Sequence, residues 1–65
     1  GHVSNEGELT DIIKQVLNEE AKAVEDAKQN PEIVNFLVGK VMQKTRGKAD
    51  PELTLALLKK NLGID

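Results

Sequence analysis

The sequence predicts an all-α fold, a small four-helix orthogonal bundle, and three observations lead to this prediction. The composition of the 65 residues favours helix, because Ala, Leu, Lys, Glu and Gln are abundant and Phe36 is the only aromatic residue. Apolar residues recur at helical spacing rather than with the alternation of strands. Two short pairs, Asn30-Pro31 and Asp50-Pro51, have the form of helix starts, a capping side chain followed by Pro at the first helical position.

Two helices are predicted in the first half of the chain. The first, from Glu6 to Leu17, has its apolar residues on one helical face, and Asn5 is its predicted cap with Glu8 as capping-box partner. These apolar residues are Leu9, Ile12, Ile13, Val16 and Leu17. The second helix is predicted from Glu19 to Gln29 after a break near Asn18. A single bent helix is the alternative, because no Gly or Pro separates the two.

Two further helices are predicted to begin at the prolines. The third runs from Pro31 to about Thr45, and apolar residues cover most of its circumference, so we expect it at the centre of the fold. Gly39 within it costs about 1 kcal/mol relative to Ala, which close approach of another helix backbone would offset. Gly39→Leu is therefore expected to destabilise the domain by roughly 1–3 kcal/mol through overpacking. The fourth helix runs from Pro51 to about Asn61, with Gly63 placed for a C-terminal cap.

The residue inventory excludes several classes of function. The chain has no cysteine, and its only histidine, His2, lies in a Gly-His start that resembles a tag remnant. No nucleophile–base pair is present, so we assign no catalytic residue and no metal ligand. No apolar run approaches about 18 residues and no signal peptide is visible, so we expect a cytoplasmic protein without a membrane partner. We divide the chain into a disordered start at 1–5 and a helical domain at 6–65.

The net charge of −2 conceals an asymmetry along the chain. Residues 1–30 carry seven acidic residues against three lysines, a net charge of −4, whereas residues 31–65 carry six basic residues against four acidic ones, a net charge of +2. The segment 39–48 contains four basic residues and no acidic one: Lys40, Lys44, Arg46 and Lys48. Cations at a helix end and in the adjacent loop are typical of contacts with phosphates. The alternative is that they only complement the helix dipole.

Other features of this segment leave its ligand less defined. Thr45 either bonds locally near the helix end or touches a ligand. No aromatic platform accompanies the basic residues, so we do not expect base stacking. Gly39 and Gly47 are too far apart to form a phosphate-cradling loop, and the first lies within a helix.

The stretch from Phe36 to Met42 and the stretch from Lys44 to Pro51 together resemble the GatB/YqeY-type tail domain. These stretches read FLVGKVM and KTRGKADP. The segments Glu6–Leu9 and Ala23–Asp26 upstream, and Leu57–Lys60 downstream, fit the same domain. The resemblance therefore covers nearly the whole chain.

This resemblance implies a function as well as a helical fold. The domain closes the B subunit of a heterotrimeric enzyme, the aspartyl/glutamyl-tRNA amidotransferase, which uses ATP, Mg and an ammonia donor to amidate Glu-tRNA(Gln) or Asp-tRNA(Asn). The catalytic site lies elsewhere in that enzyme, and the domain contacts the outer corner of the tRNA, including its D-loop. The residues implied to bind tRNA are Lys40, Lys44, Thr45 and Lys48, and those implied to be structural are Gly39, Gly47 and Pro51. Arg46 lies at a variable basic or polar position of the family, and we expect it to bind tRNA with the other cations.

We therefore expect a domain that positions misacylated tRNA through backbone contacts, for ATP-dependent amidation carried out elsewhere in the enzyme. The A and C subunits of the amidotransferase would be partners through the parent B subunit. The alternative is a docking module within that complex that uses exposed leucines of the fourth helix, Leu55 or Leu58, without RNA contact. An enzyme is the third interpretation, and it requires a catalytic pair that the sequence lacks. Ala21 and Ala27 depart from the family's usual Pro and aromatic residues, which affects the second helix and not the basic segment.

Overall fold

The computed structural model describes residues 6–64, and within that range it contains four α-helices, one 3₁₀ turn and no strand. The elements are α1 (Glu6–Glu19), α2 (Ala21–Gln29), the 3₁₀ turn (Pro31–Ile33), α3 (Val34–Lys44) and α4 (Pro51–Leu62). The predicted all-α bundle of four helices is confirmed. The predicted start at 1–5, with the Asn5 cap and the His2 remnant, lies outside the described residues. None of the helices in residues 6–64 is both long and apolar enough to cross a membrane.

Both predicted helix starts are confirmed by side-chain caps. Asn30 Oδ1 accepts a hydrogen bond from the backbone N–H of Glu32 at 3.2 Å, and Asp50 Oδ1 accepts one from that of Glu52 at 2.9 Å. Each cap satisfies a backbone donor that has no partner within its own helix, and the following proline has no N–H to satisfy. The third helix nevertheless differs from its prediction, because its first turn, Pro31–Ile33, is 3₁₀ rather than α.

The break between α1 and α2 lies at Glu20, two residues after the predicted position at Asn18. Glu20 leaves the helical conformation with φ −109° and ψ 46°. Its N–H still donates to the carbonyl of Val16 at 2.8 Å, and its own carbonyl accepts from the N–H of Val24 at 3.0 Å. No side chain caps the start of α2. The two helices are thus separate, and the two backbone hydrogen bonds of Glu20 join them across the break.

The core lies between α1, α3 and α4, and α3 contacts each of the other helices, as its central placement predicted. The buried side chains of α1 are spaced as predicted for one helical face. The buried apolar residues are Leu9, Ile13, Val16, Ala27, Val34, Leu37, Val41, Ala49, Leu57 and Leu58. Leu58 is fully buried and Leu55 is half-buried against the same core. The expectation that Leu58 is exposed for docking is therefore wrong, because α4 turns that side toward α3 and α1.

Gly39 is an exposed residue in the middle of α3. A Cβ placed on it would meet no other atom within 4 Å. The expected approach of another helix backbone is wrong, and with it the prediction that Gly39→Leu overpacks the fold. The core contacts of α3 are made by Val34, Leu37 and Val41, so packing does not offset the cost of about 1 kcal/mol for glycine.

Candidate nucleic-acid interface

The backbone reverses sharply after α3, through two successive residues in the left-handed region. Arg46 has φ +54° and Gly47 has φ +76°. The N–H of Gly47 donates to the carbonyl of Met42 at 2.8 Å, and the N–H of Arg46 donates to that of Gln43 at 3.2 Å. These two bonds form a Schellman closure of the helix. The structural role predicted for Gly47 fits this geometry, whereas Arg46 stands where glycine is preferred, at a cost of roughly 1–2 kcal/mol.

Thr45 is buried at the base of this turn, with 5% of its surface exposed. Its hydroxyl donates to the carbonyl of Val41 at 3.0 Å and accepts from the N–H of Ala49 at 3.3 Å. The side chain therefore joins the last turn of α3 to the loop that follows. This geometry matches the local role predicted for Thr45, because its buried hydroxyl already has partners on both sides.

The loop projects two cations into solvent. Arg46 and Lys48 are exposed, and neither forms an ion pair within residues 6–64. Lys44 differs, because its Nζ lies 3.0 Å from Glu19 Oε1, at the end of α1. Exposed pairs of this kind contribute only about 0–1 kcal/mol to stability. The pair with Glu19 is therefore weak enough for an external phosphate to displace Glu19 from Lys44. The structure thus places Lys44, Arg46 and Lys48 at one end of α3 and in the loop that follows, with Lys44 paired to an acid.

Sequence reasoning missed Phe36 as a surface residue. It is 49% exposed, and among the large hydrophobic side chains of residues 6–64 it is the exposed one. Lys40 lies one helical turn away, with its Nζ 5.3 Å from the centroid of the Phe36 ring, within the range of a cation–π contact. An exposed aromatic ring therefore lies beside Lys40 of the basic segment, which was not expected from the sequence.

Phe36, Gly39, Lys40 and Gln43 line a shallow open depression of about 240 Å³. Their spacing places them on one side of α3, which we name the outer face. Gly39 has no side chain, so part of this depression is lined by backbone. The sequence held a signal that Phe36 lies on an exposed side of the helix. Gly39, Lys40 and Gln43, none of which is a large apolar residue, follow Phe36 at helical spacing.

A family model described as a GatB domain matches residues 1–62 of the chain. The chain belongs to the GatB domain family. This confirms the resemblance drawn from the stretches around Gly39 and Gly47.

Three relatives from different organisms carry the name of the B subunit of aspartyl/glutamyl-tRNA(Asn/Gln) amidotransferase. The protein of that name from Sulfurisphaera tokodaii is 53% identical over 62 residues, which cover 95% of the chain and 13% of the relative. The one from Methanopyrus kandleri is 45% identical over 64 residues, covering 97% and 14%. The one from Thermoanaerobacter sp. is 51% identical over 61 residues, covering 92% and 13%. The chain thus spans about 13% of the length of the first of these relatives. No solved structure matches it.

Proposed function

We propose that this GatB domain binds tRNA and positions misacylated Glu-tRNA(Gln) or Asp-tRNA(Asn) for ATP-dependent amidation in another part of the enzyme. The contact is electrostatic: cations at the end of α3 meet phosphates of the RNA backbone. Such contacts fix the position and orientation of the RNA without reading its sequence.

The observation that carries this proposal is the pair of exposed cations in the loop after α3, Arg46 and Lys48, neither of which forms an ion pair within residues 6–64. A helix dipole alone does not account for it, because Arg46 and Lys48 lie beyond the last turn and Arg46 adopts an unfavourable backbone conformation. The left-handed conformation places the Arg46 side chain at a sharp turn, where it is exposed to solvent. The names of the relatives, which include tRNA, agree with a polyanionic ligand.

The chemistry itself is proposed to lie outside this domain. The described residues do not fit a magnesium site, because residues 6–64 hold no group of three or more His, Cys, Asp or Glu side chains placed to bind a metal. We therefore assign ATP and Mg to the parent enzyme and no step of amidation to this chain. The A and C subunits would be partners through the parent B subunit, in the cytoplasm.

Charge reversal tests the proposal most simply. Lys48→Glu removes one exposed cation from the loop, and Lys22→Glu, at an exposed position on α2, is the matched control with the same change in net charge. Binding of a tRNA transcript is measured by fluorescence anisotropy across a range of salt concentrations. We expect Lys48→Glu to weaken binding and to lower the slope of log affinity against log salt by about 0.7–0.9. Lys22→Glu should leave that slope unchanged.

Equal losses for the two variants would contradict the proposal, since they would show only an effect of net charge. The competing function is docking on other subunits through α4. Leu58 is fully buried, so it is not accessible to a docking partner. It would gain support if neither variant altered tRNA binding while substitution of the half-buried Leu55 released the domain from its parent complex.

A further inference from the structure

We propose that Phe36 is a stacking platform for an unpaired or terminal nucleobase of the bound RNA, with Gly39 leaving the room that the base needs. This inference rests on the proposed function and adds a second kind of contact to it. The phosphate contacts supply attraction, whereas the outer face of α3 supplies a surface for one base.

The first support is the exposure of the Phe36 side chain to solvent. Half of its surface faces solvent, although a ring of this size in so small a domain would contribute more to stability inside the core. The Nζ of Lys40 lies over the ring, 5.3 Å from its centroid, so a base that stacks on this face displaces the flexible lysine toward its own phosphate. A nucleobase suits that combination, because an aromatic face accepts stacking while the neighbouring cation meets the attached phosphate.

The second support is the bare backbone at Gly39. Glycine in an exposed helix interior is unfavourable, and no packing in the structure requires it. Gly39 lines the same depression as Phe36, so a side chain at this position would project into it. Glycine is the residue that permits another molecule to approach a backbone closely. An exposed ring and an exposed glycine on one face are thus explained together by one flat ligand.

The third support is the position of the platform. Phe36 lies eight residues before the end of α3, so about 12 Å of helix separates it from the basic loop. A few nucleotides of one RNA strand span that distance. A protein side chain as occupant is less favoured, because Lys40 and Gln43 line the same depression and would lose water without an obvious charged partner.

A tryptophan at the platform reports stacking directly. The chain contains no Trp and no Tyr, so Phe36→Trp creates a single fluorophore on the outer face. Gln15→Trp, at an exposed position on α1, is the matched control. We expect a tRNA transcript to quench the emission of Phe36→Trp with a saturable isotherm and to leave Gln15→Trp unchanged. Heparin, a polyanion without bases, should bind without quenching either variant.

Affinity measurements separate stacking from charge. Phe36→Leu keeps an apolar side chain but removes the ring, and should weaken tRNA binding about 5- to 100-fold while leaving the salt slope unchanged. Gly39→Leu should weaken binding without lowering the melting temperature, because the fold has room for the side chain. Circular dichroism melts of each variant confirm that it is folded.

The outcomes also distinguish this inference from the proposed function. Loss of binding in Lys48→Glu with full binding in Phe36→Leu, and unquenched Phe36→Trp, would overturn the stacking platform and leave the phosphate contacts standing. Loss of subunit association rather than tRNA binding in Phe36→Leu would overturn it in favour of a protein partner. Full tRNA binding in both variants would overturn the proposed function itself.

Discussion

The two faces of α3 differ in what their side chains contact. The inner face, with Val34, Leu37 and Val41, is fully buried against the other helices. The outer face carries an exposed aromatic ring, a glycine with open space above it and two polar residues. The inner face follows the rules of core packing, whereas the outer face exposes an aromatic ring and carries a glycine in a helix interior, each at a cost in stability. Residues that lower the stability of the fold and are not required by its packing are expected at binding sites.

The strongest test of this contrast removes a side chain from each face. Leu37→Ala should lower the free energy of unfolding by about 2–5 kcal/mol, since it leaves a cavity in the core. Phe36→Ala removes a larger side chain but should cost only about 1 kcal/mol or less, since half of that ring is already in solvent. Urea denaturation followed by circular dichroism measures both. Similar losses for the two variants would show that the outer face serves folding after all.

A buried polar group on α4 offers the next test. Thr54 Oγ1 is buried and has no hydrogen-bond partner among the described residues. Thr54→Val should therefore raise the free energy of unfolding by about 1–2 kcal/mol, because it removes an unsatisfied polar atom at constant shape. Thr45→Val is the matched control, since there the hydroxyl is bonded on both sides and its loss should destabilise. Equal signs for the two changes would contradict this assignment.

Gly39→Ala sharpens the comparison on the outer face itself. The added methyl group meets no atom within 4 Å, so better helix propensity should raise the free energy of unfolding by about 1 kcal/mol. Gly47→Ala should do the reverse, because its φ of +76° strains any residue with a Cβ. Thermal denaturation of the two variants checks the pair. Destabilisation by Gly39→Ala would show that something packs on this position.

Arg46→Gly should give the smallest gain, about 0.5–1 kcal/mol. Glycine relieves the left-handed strain, although it also adds freedom to the unfolded chain. Lys48→Gly removes the same charge from the loop, outside the left-handed pair of residues, and should lose stability slightly. Both should weaken tRNA binding. A fall in stability for Arg46→Gly would mean that its side chain, rather than its backbone, holds the turn.

Local signals explain how far the sequence predicted the fold. The capping residues Asn30 and Asp50 and their prolines determine two helix starts within a few residues, and both were predicted correctly. The inward face of α1 followed from spacing alone. The break at Glu20 was misplaced because no residue there has a strong preference, so tertiary packing decides it.

The candidate site was harder to predict because it depends on which helices become neighbours. Three of the predicted cations lie at or just beyond the end of α3, whereas Lys40 lies over Phe36. The pairing of Lys44 with Glu19 joins residues far apart in the chain. The surroundings of Gly39 and Phe36 were misjudged for the same reason. Spacing shows that they share a helical side, whereas only the packed structure shows that this side faces solvent.

The central claim is that the outer face and basic end of α3 bind tRNA. Amide chemical shifts of the isotopically labelled domain, recorded during titration with a tRNA transcript at low and moderate salt, test it most directly. We predict shifts centred on residues 36–48 that become smaller as salt rises, with α2 and the exposed side of α1 unaffected. The claim would be contradicted if tRNA left the amide shifts of residues 36–48 unchanged. It would also be contradicted if the only shifts were in α4 and appeared on addition of the other subunits instead of tRNA.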